Sequence, residues 1–255
     1  MYHLIRPGFS GLLAACVAFA PVAAAAREKG ASRPGFNAEA LHGQTVLLFR
    51  PSVFVGEQST AGQAEPNGDW TDESRRLLAA EMTARQAGIA DRVVAEPETA
   101  GPVYSQYQAL FDTVARSVVR HQFFKGGRLP TRKNKPFEWS LGPGLKEIAR
   151  ETGARYGLFV STHDEYGSVG RKVFQALAIV AVGVPVTSGV HRGFAGLVDL
   201  ETGDLVWLNA DEQMGGDVRN AEGMKKRVAE LLEDYPGLSA AADHSGDVAL
   251  SGGGK

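Results

Sequence analysis

The hydrophobic pattern first separates a leader from a folded body. Residues 9–22 form one apolar stretch, FSGLLAACVAFAPV, preceded by the cation Arg6 and followed by small residues up to a charged junction at Arg27. This is the layout of a secretory signal peptide over residues 1–26, with Ala24-Ala25-Ala26 supplying the small side chains a signal peptidase accepts. Within it, Leu13-Ala14-Ala15-Cys16 resembles a lipobox, which makes Cys16 a candidate for lipidation. The run Val17-Ala18-Phe19-Ala20 stays apolar where lipoproteins turn polar. Two cleavages are therefore written in the leader, one after Ala26 and one before Cys16.

Residues 27–43 are polar, with glycine and proline interspersed, and read as a flexible tether. Thr45–Arg50 is a continuous apolar run closed by Pro51, the signature of a buried central strand. Ser52–Glu57 is a second extended piece, and Asp91–Ala95 a third. A helix capped by Thr71 carries Leu77, Leu78 and Met82 inward. Over 103–124, Tyr104, Tyr107, Phe111, Val114 and Val118 fall three and four apart, the stripe of an amphipathic helix packed on a core. A further helix spans 143–152, and Tyr156–Thr162 reads as another central strand.

Phe194–Leu200 and Asp204–Asn209 flank Glu201-Thr202-Gly203, a tight turn with glycine where a left-handed residue is required, which predicts a β-hairpin. A closing helix near 221–235 buries Met224, Val228, Leu231 and Leu232. Strands separated by helices, then a hairpin and a last helix, predict an α/β fold: a mixed sheet flanked by helices. The domain is expected over 44–236, with 237–255 as a disordered tail.

Composition narrows the function. A chain of 255 residues with 44% hydrophobic and 22% charged residues is a globular protein. Its formal charge of −2 is too small and too mixed to favour nucleic acid as a partner. Cleavage after Ala26 removes Arg6, leaving 26 Lys and Arg against 29 acidic residues, a charge of −3. It also removes the single cysteine, and with it disulfides, thiolate nucleophiles and cysteine metal sites.

The candidate chemistry is sparse. His163-Asp164-Glu165 follows a strand end, where α/β proteins place their sites, and alternation lets His163 and Glu165 converge while Asp164 points away. A solvated turn is the competing reading. Gly167-Ser168-Val169-Gly170-Arg171-Lys172 is neither a nucleophile elbow nor a Walker A loop. Its amides are able to hold an anion beside Arg171, or it is simply a flexible connection. Asp217 and Arg219 are expected to pair with each other or to cap the next helix. The rim His163, Glu165, Arg171, Asp217 and Arg219 is the candidate ligand or partner site, with no catalytic residue, metal or cofactor expected. Val173–Val186 is the most apolar stretch of the body and reads as a buried helix leading into a strand, or as a membrane-facing or partner-facing surface. The basic loop 125–135 reads as a solvated face, with anionic lipid or an acidic partner as the alternative.

Val198-Asp199-Leu200-Glu201-Thr202-Gly203-Asp204-Leu205-Val206-Trp207, following the Tyr156-Gly157-Leu158-Phe159-Val160 segment, resembles the periplasmic α/β domains of the curli-secretion-channel family and of lipoprotein activators of penicillin-binding proteins. Glu138-Trp139-Ser140-Leu141-Gly142 and Trp70-Thr71 resemble other exported bacterial proteins of that shape. The resemblance implies an exported, periplasmic and outer-membrane-tethered protein that docks with other envelope proteins in envelope assembly or maintenance. Membrane contact would come through a lipid anchor or Val173–Val186. No catalytic residue carries over, and pore-forming hairpins are not evident. The alternative is a small hydrolase or ligand-binding protein using the rim around His163, Glu165 and Arg171.

Overall fold

The computed structural model describes residues 29–132, 134–182 and 189–238. The leader with Cys16, and the tail from residue 239 onward, lie outside the described residues. Among the described residues, nine strands form one mixed sheet. In chain order these are β1 (Lys29–Ser32), β2 (Thr45–Leu48), β3 (Ser52–Gln58), β4 (Ala64–Pro66), β5 (Arg92–Ala95), β6 (Trp139–Ser140), β7 (Tyr156–Gly167), β8 (Val190–Asp199) and β9 (Asp204–Asp211). The longer helices are α1 (Gly68–Ala84), α2 (Gln86–Ile89), α3 (Pro102–Val118), α4 (Lys146–Thr152), α5 (Val169–Val182) and α6 (Ala221–Leu231).

β7 is the spine. Along one edge it pairs in parallel first with β2 and then with β3, which are one strand path interrupted at Arg50-Pro51. Pro51 brings no N–H to the ladder, so the break falls where a hydrogen bond is missing anyway. Along its other edge β7 runs antiparallel to β8, which turns through Gly203 (φ 77°) into β9. The predicted hairpin and closing helix are thus present, as is the mixed sheet flanked by helices.

Helices cover both faces. On one, Leu78 and Met82 of α1 and Met224, Val228 and Leu231 of α6 pack on Val46, Leu158, Val160 and Leu197. On the other, Tyr104, Phe111 and Val118 of α3 and Ile148 of α4 pack on Leu47, Phe49, Phe159 and Phe194. Alternation along β7 sorts its side chains between these two cores, as a strand buried on both sides requires.

Three expectations need correction. The tether over 27–43 is structured where it is described: Lys29–Ser32 pairs antiparallel with Ala210–Trp207 of β9, and Leu41 is buried. Main-chain pairing on a free sheet edge needs no side-chain alternation, so KGAS carried no strand pattern. Thr71 does not cap α1. Asn67 does, accepting the Trp70 N–H at 3.0 Å, while Thr71 Oγ1 donates to the carbonyls of Asn67 and Val55. Finally, β7 does not end at Thr162. β3 and β8 supply partners through Gly167 and Glu165, which makes His163-Asp164-Glu165 strand residues rather than a solvated turn.

Candidate functional site

The distal half of β7 carries the chemistry, and alternation divides it between the faces. On the α3 face, His163 Nε2 and Glu165 Oε1 are 2.7 Å apart, and the His163 ring stacks on Phe54 of β3 at 4.4 Å. On the α1 and α6 face stands Asp164, fully buried. Its Oδ1 receives Nη2 of Arg227 at 2.7 Å and its Oδ2 receives Nη1 at 2.8 Å, a bidentate clamp from α6. Thr162 Oγ1 adds a bond of 2.6 Å to Oδ2, and Nδ1 of His191, the cross-strand neighbour on β8, lies 2.9 Å from Oδ1. Arg227 is itself completely buried and gives its remaining donors to Thr162 Oγ1, at 2.7 Å, and to the carbonyls of Gly215 and Gly216. Burial alone would push the Asp164 carboxyl upward. The His191, Arg227 and Thr162 contacts outweigh it and hold the carboxyl below the ordinary carboxylate range. The network therefore fastens α6 and the 215–216 loop to the spine.

Next to it, Arg219 forms two bonds to Asp217, at 2.8 and 2.7 Å, and lays its guanidinium 3.7 Å over the Tyr166 ring. Trp70 meets Tyr166 edge-on at 6.1 Å. The Arg219 hydrogen bonds bring the Asp217 carboxyl down to about 2, against the opposing effect of burial. Burial, with the Asp164 carboxylate close by, raises the Tyr166 phenol. Trp70, Tyr166, His191, Arg219, Lys172 and Glu57 line an open cavity of about 380 Å³.

The five rim residues of the sequence reading therefore do not meet at one rim. His163 and Glu165 lie on one face of the sheet, while Asp217 and Arg219 lie on the other beside Tyr166. Arg171 sits on α5 with its guanidinium against Gly62 in the β3–β4 turn. Sequence reasoning missed His191 and Arg227, which reach Asp164 from 27 and 63 residues away. Among the described residues no group of three His, Cys, Asp or Glu side chains is placed to hold a metal ion.

The second feature is α5. Ser168 caps it, its Oγ accepting the Arg171 N–H at 3.1 Å. On a helical projection, Arg171, Gln175 and Ala178 share one side, and these are its partly covered residues. The opposite side carries Val169, Val173, Phe174 and Leu177, which are 78%, 54%, 48% and 63% exposed. Over residues 169–178 the helix turns Arg171 and Gln175 toward the protein and its large apolar side chains toward solvent, the reverse of a globular surface helix. The expectation of a buried helix is thus corrected for the described side chains of this segment, since Val173, Phe174 and Leu177 face solvent rather than a core. The strand expected at the end of Val173–Val186, beyond residue 182, lies outside the described residues. No described helix is long and apolar enough to cross a membrane.

No protein-family model matches the chain, and no curated protein is similar to it. Among solved structures, the chain is similar to PelC of Paraburkholderia phytofirmans, a dodecamer, at 14% identity over 80% of this chain and 93% of that one, with a TM-score of 0.36. A variant of the same protein gives 14% identity and a TM-score of 0.35. Lipoprotein GNA1162 from Neisseria meningitidis is 13% identical over 82% of this chain and 99% of that one, with a TM-score of 0.28. At these identities and TM-scores the likeness extends neither to function nor to a grouping with curli-secretion channels or penicillin-binding-protein activators.

Proposed function

We propose that the chain is an exported bacterial cell-envelope protein that acts by docking in envelope assembly or maintenance, with α5 laid on the membrane surface. The leader over residues 1–26 delivers it to the periplasm, and Cys16 offers an outer-membrane tether. One observation carries the reading: the inverted polarity of α5. Four large apolar side chains facing water form a patch that a free globular domain does not keep.

The chemistry around the helix favours lipid as the occupant. No Asp or Glu occurs from Tyr166 to Val198, whereas Arg171, Lys172 and Arg192 do. That charge complements an anionic headgroup layer. The length fits as well. Fourteen helical residues extend about 21 Å, short of the roughly 30 Å hydrocarbon core, so the helix lies in the interface rather than across it.

The test is the double substitution Val173→Asp and Leu177→Asp in a Cys16→Ser background, so that no lipid anchor contributes. After lysis of expressing cells, the Cys16→Ser chain is expected to sediment with membranes. The double Asp variant is expected to shift to the supernatant by at least about tenfold, since burial of one such side chain is worth roughly 1.5–3 kcal/mol. Its thermal unfolding should be unchanged, because both positions are already exposed. Equal partitioning of the two chains would remove α5 from the account.

A further inference from the structure

α3 does not stop at Val118 but continues as one π turn over Val119–Phe123, closed by the Phe124 N–H on the Val119 carbonyl at 3.2 Å. Such wide turns re-aim side chains and recur at functional sites. Here Val119, Arg120 and Phe124 line a cavity of about 300 Å³ together with Arg116, with Arg192 and Phe194 of β8, and with Glu212 just past β9. His163, opposite Arg192 in the β7–β8 register, shares this face of the sheet.

The lining of this cavity brings together three arginines and one glutamate. None of Arg116, Arg120 and Arg192 is ion-paired among the described residues, and Arg116 acts on Asp112 only through space. Three like charges set around one apolar-walled space repel each other unless an anion joins them. Within the lining, three arginines against Glu212 leave an excess of two positive charges, which matches a phosphate monoester carrying about −1.5 to −2 at neutral pH. Guanidinium forks suit its oxygens in bidentate geometry. Val119, Phe124 and Phe194 meanwhile provide apolar walls, which a bare anion would not use.

We propose that this cavity binds a phosphate monoester carried on an apolar body, with Arg116, Arg120 and Arg192 on the phosphate and Val119, Phe124 and Phe194 on the apolar part. The site is separate from α5 and does not depend on the docking reading.

Calorimetric titration of the full chain with octyl phosphate, inorganic phosphate and octyl glucoside tests it. Octyl phosphate is expected to bind at least about tenfold tighter than either of the others, which carry only half of its chemistry each. Arg192→Gln should weaken octyl phosphate about tenfold and leave octyl glucoside unchanged. Because the apolar leader is common to both chains, that difference reports the cavity. Should Arg192→Gln disturb the sheet, the pair Arg116→Gln and Arg120→Gln, at exposed positions, gives the same reading. Displacement of octyl phosphate by phosphatidic acid vesicles assigns the ligand to a membrane lipid. Tight octyl phosphate binding without that displacement assigns it to a soluble ester, and either result sustains the site. Equal affinity for octyl phosphate and octyl glucoside, equal affinity for octyl and inorganic phosphate, or arginine variants that bind octyl phosphate like the parent chain would overturn it.

Discussion

Arg227→Met is expected to cost about 3–5 kcal/mol of folding stability, because it leaves the Asp164 carboxylate buried without its clamp. The loss is read from urea unfolding at neutral pH. Such a cost is a large share of the 5–15 kcal/mol that holds a typical domain together. The methionine fills most of the volume, so the effect is electrostatic rather than a cavity.

Two further measurements isolate that cause. The first is pH. In the parent chain the folded Asp164 carboxyl is held below its unfolded value, so its contribution is full above about pH 4 and is lost as the pH falls through the folded value. Without Arg227 burial dominates and the folded carboxyl rises above the unfolded one, so acidification favours the folded variant. The gap between parent and variant should therefore narrow toward pH 4. The second is Asp164→Asn added to Arg227→Met, which should recover part of the loss by removing the stranded charge. A gap that stays constant with pH, together with no recovery in the double variant, would show that Arg227 acts only by filling space.

Phe159→Ala is the second large effect, also about 3–5 kcal/mol. The ring is fully buried on β7, stacked on Phe49 at 3.9 Å and on Phe111 of α3 at 5.1 Å. Phe49 in turn leans on Tyr104 at 5.8 Å. Deleting the middle ring opens a void between Phe49 and Phe111 that these two buried rings, held on different segments, cannot close. A loss under about 1 kcal/mol in the same unfolding assay would contradict this description of the α3-side core.

Much of this core was legible beforehand. The Tyr104–Val118 stripe, the Tyr156–Thr162 run and the Glu201-Thr202-Gly203 turn each announce a local structure through period or turn chemistry, and each stands where the pattern puts it. The polar centre was not legible. Asp164 and Arg227 are joined only because α6 packs beside the spine, and no local period relates residues so far apart. His163-Asp164-Glu165 looks like a solvated turn until two neighbouring strands are known to pair with it.

α5 failed for a different reason. Its two sides are readable on a helical projection, with Arg171 and Gln175 on one and Val169, Val173, Phe174 and Leu177 on the other. Apolar side chains are ordinarily assigned to the interior. Only the fold reveals that both faces of the sheet are already covered by α1, α6, α3 and α4, which leaves the apolar side of α5 outside.

The most direct test places a nitroxide on that side. Leu177→Cys in a Cys16→Ser background is labelled, and the full chain is mixed with vesicles of phosphatidylcholine and phosphatidylglycerol. Collision with oxygen should then exceed collision with a water-soluble nickel complex, as in an acyl-chain environment, while a label at Thr113 on α3 stays aqueous. A Leu177 label that remains as water-accessible as the Thr113 label, on vesicles that carry the protein down, would contradict the membrane-surface account of α5.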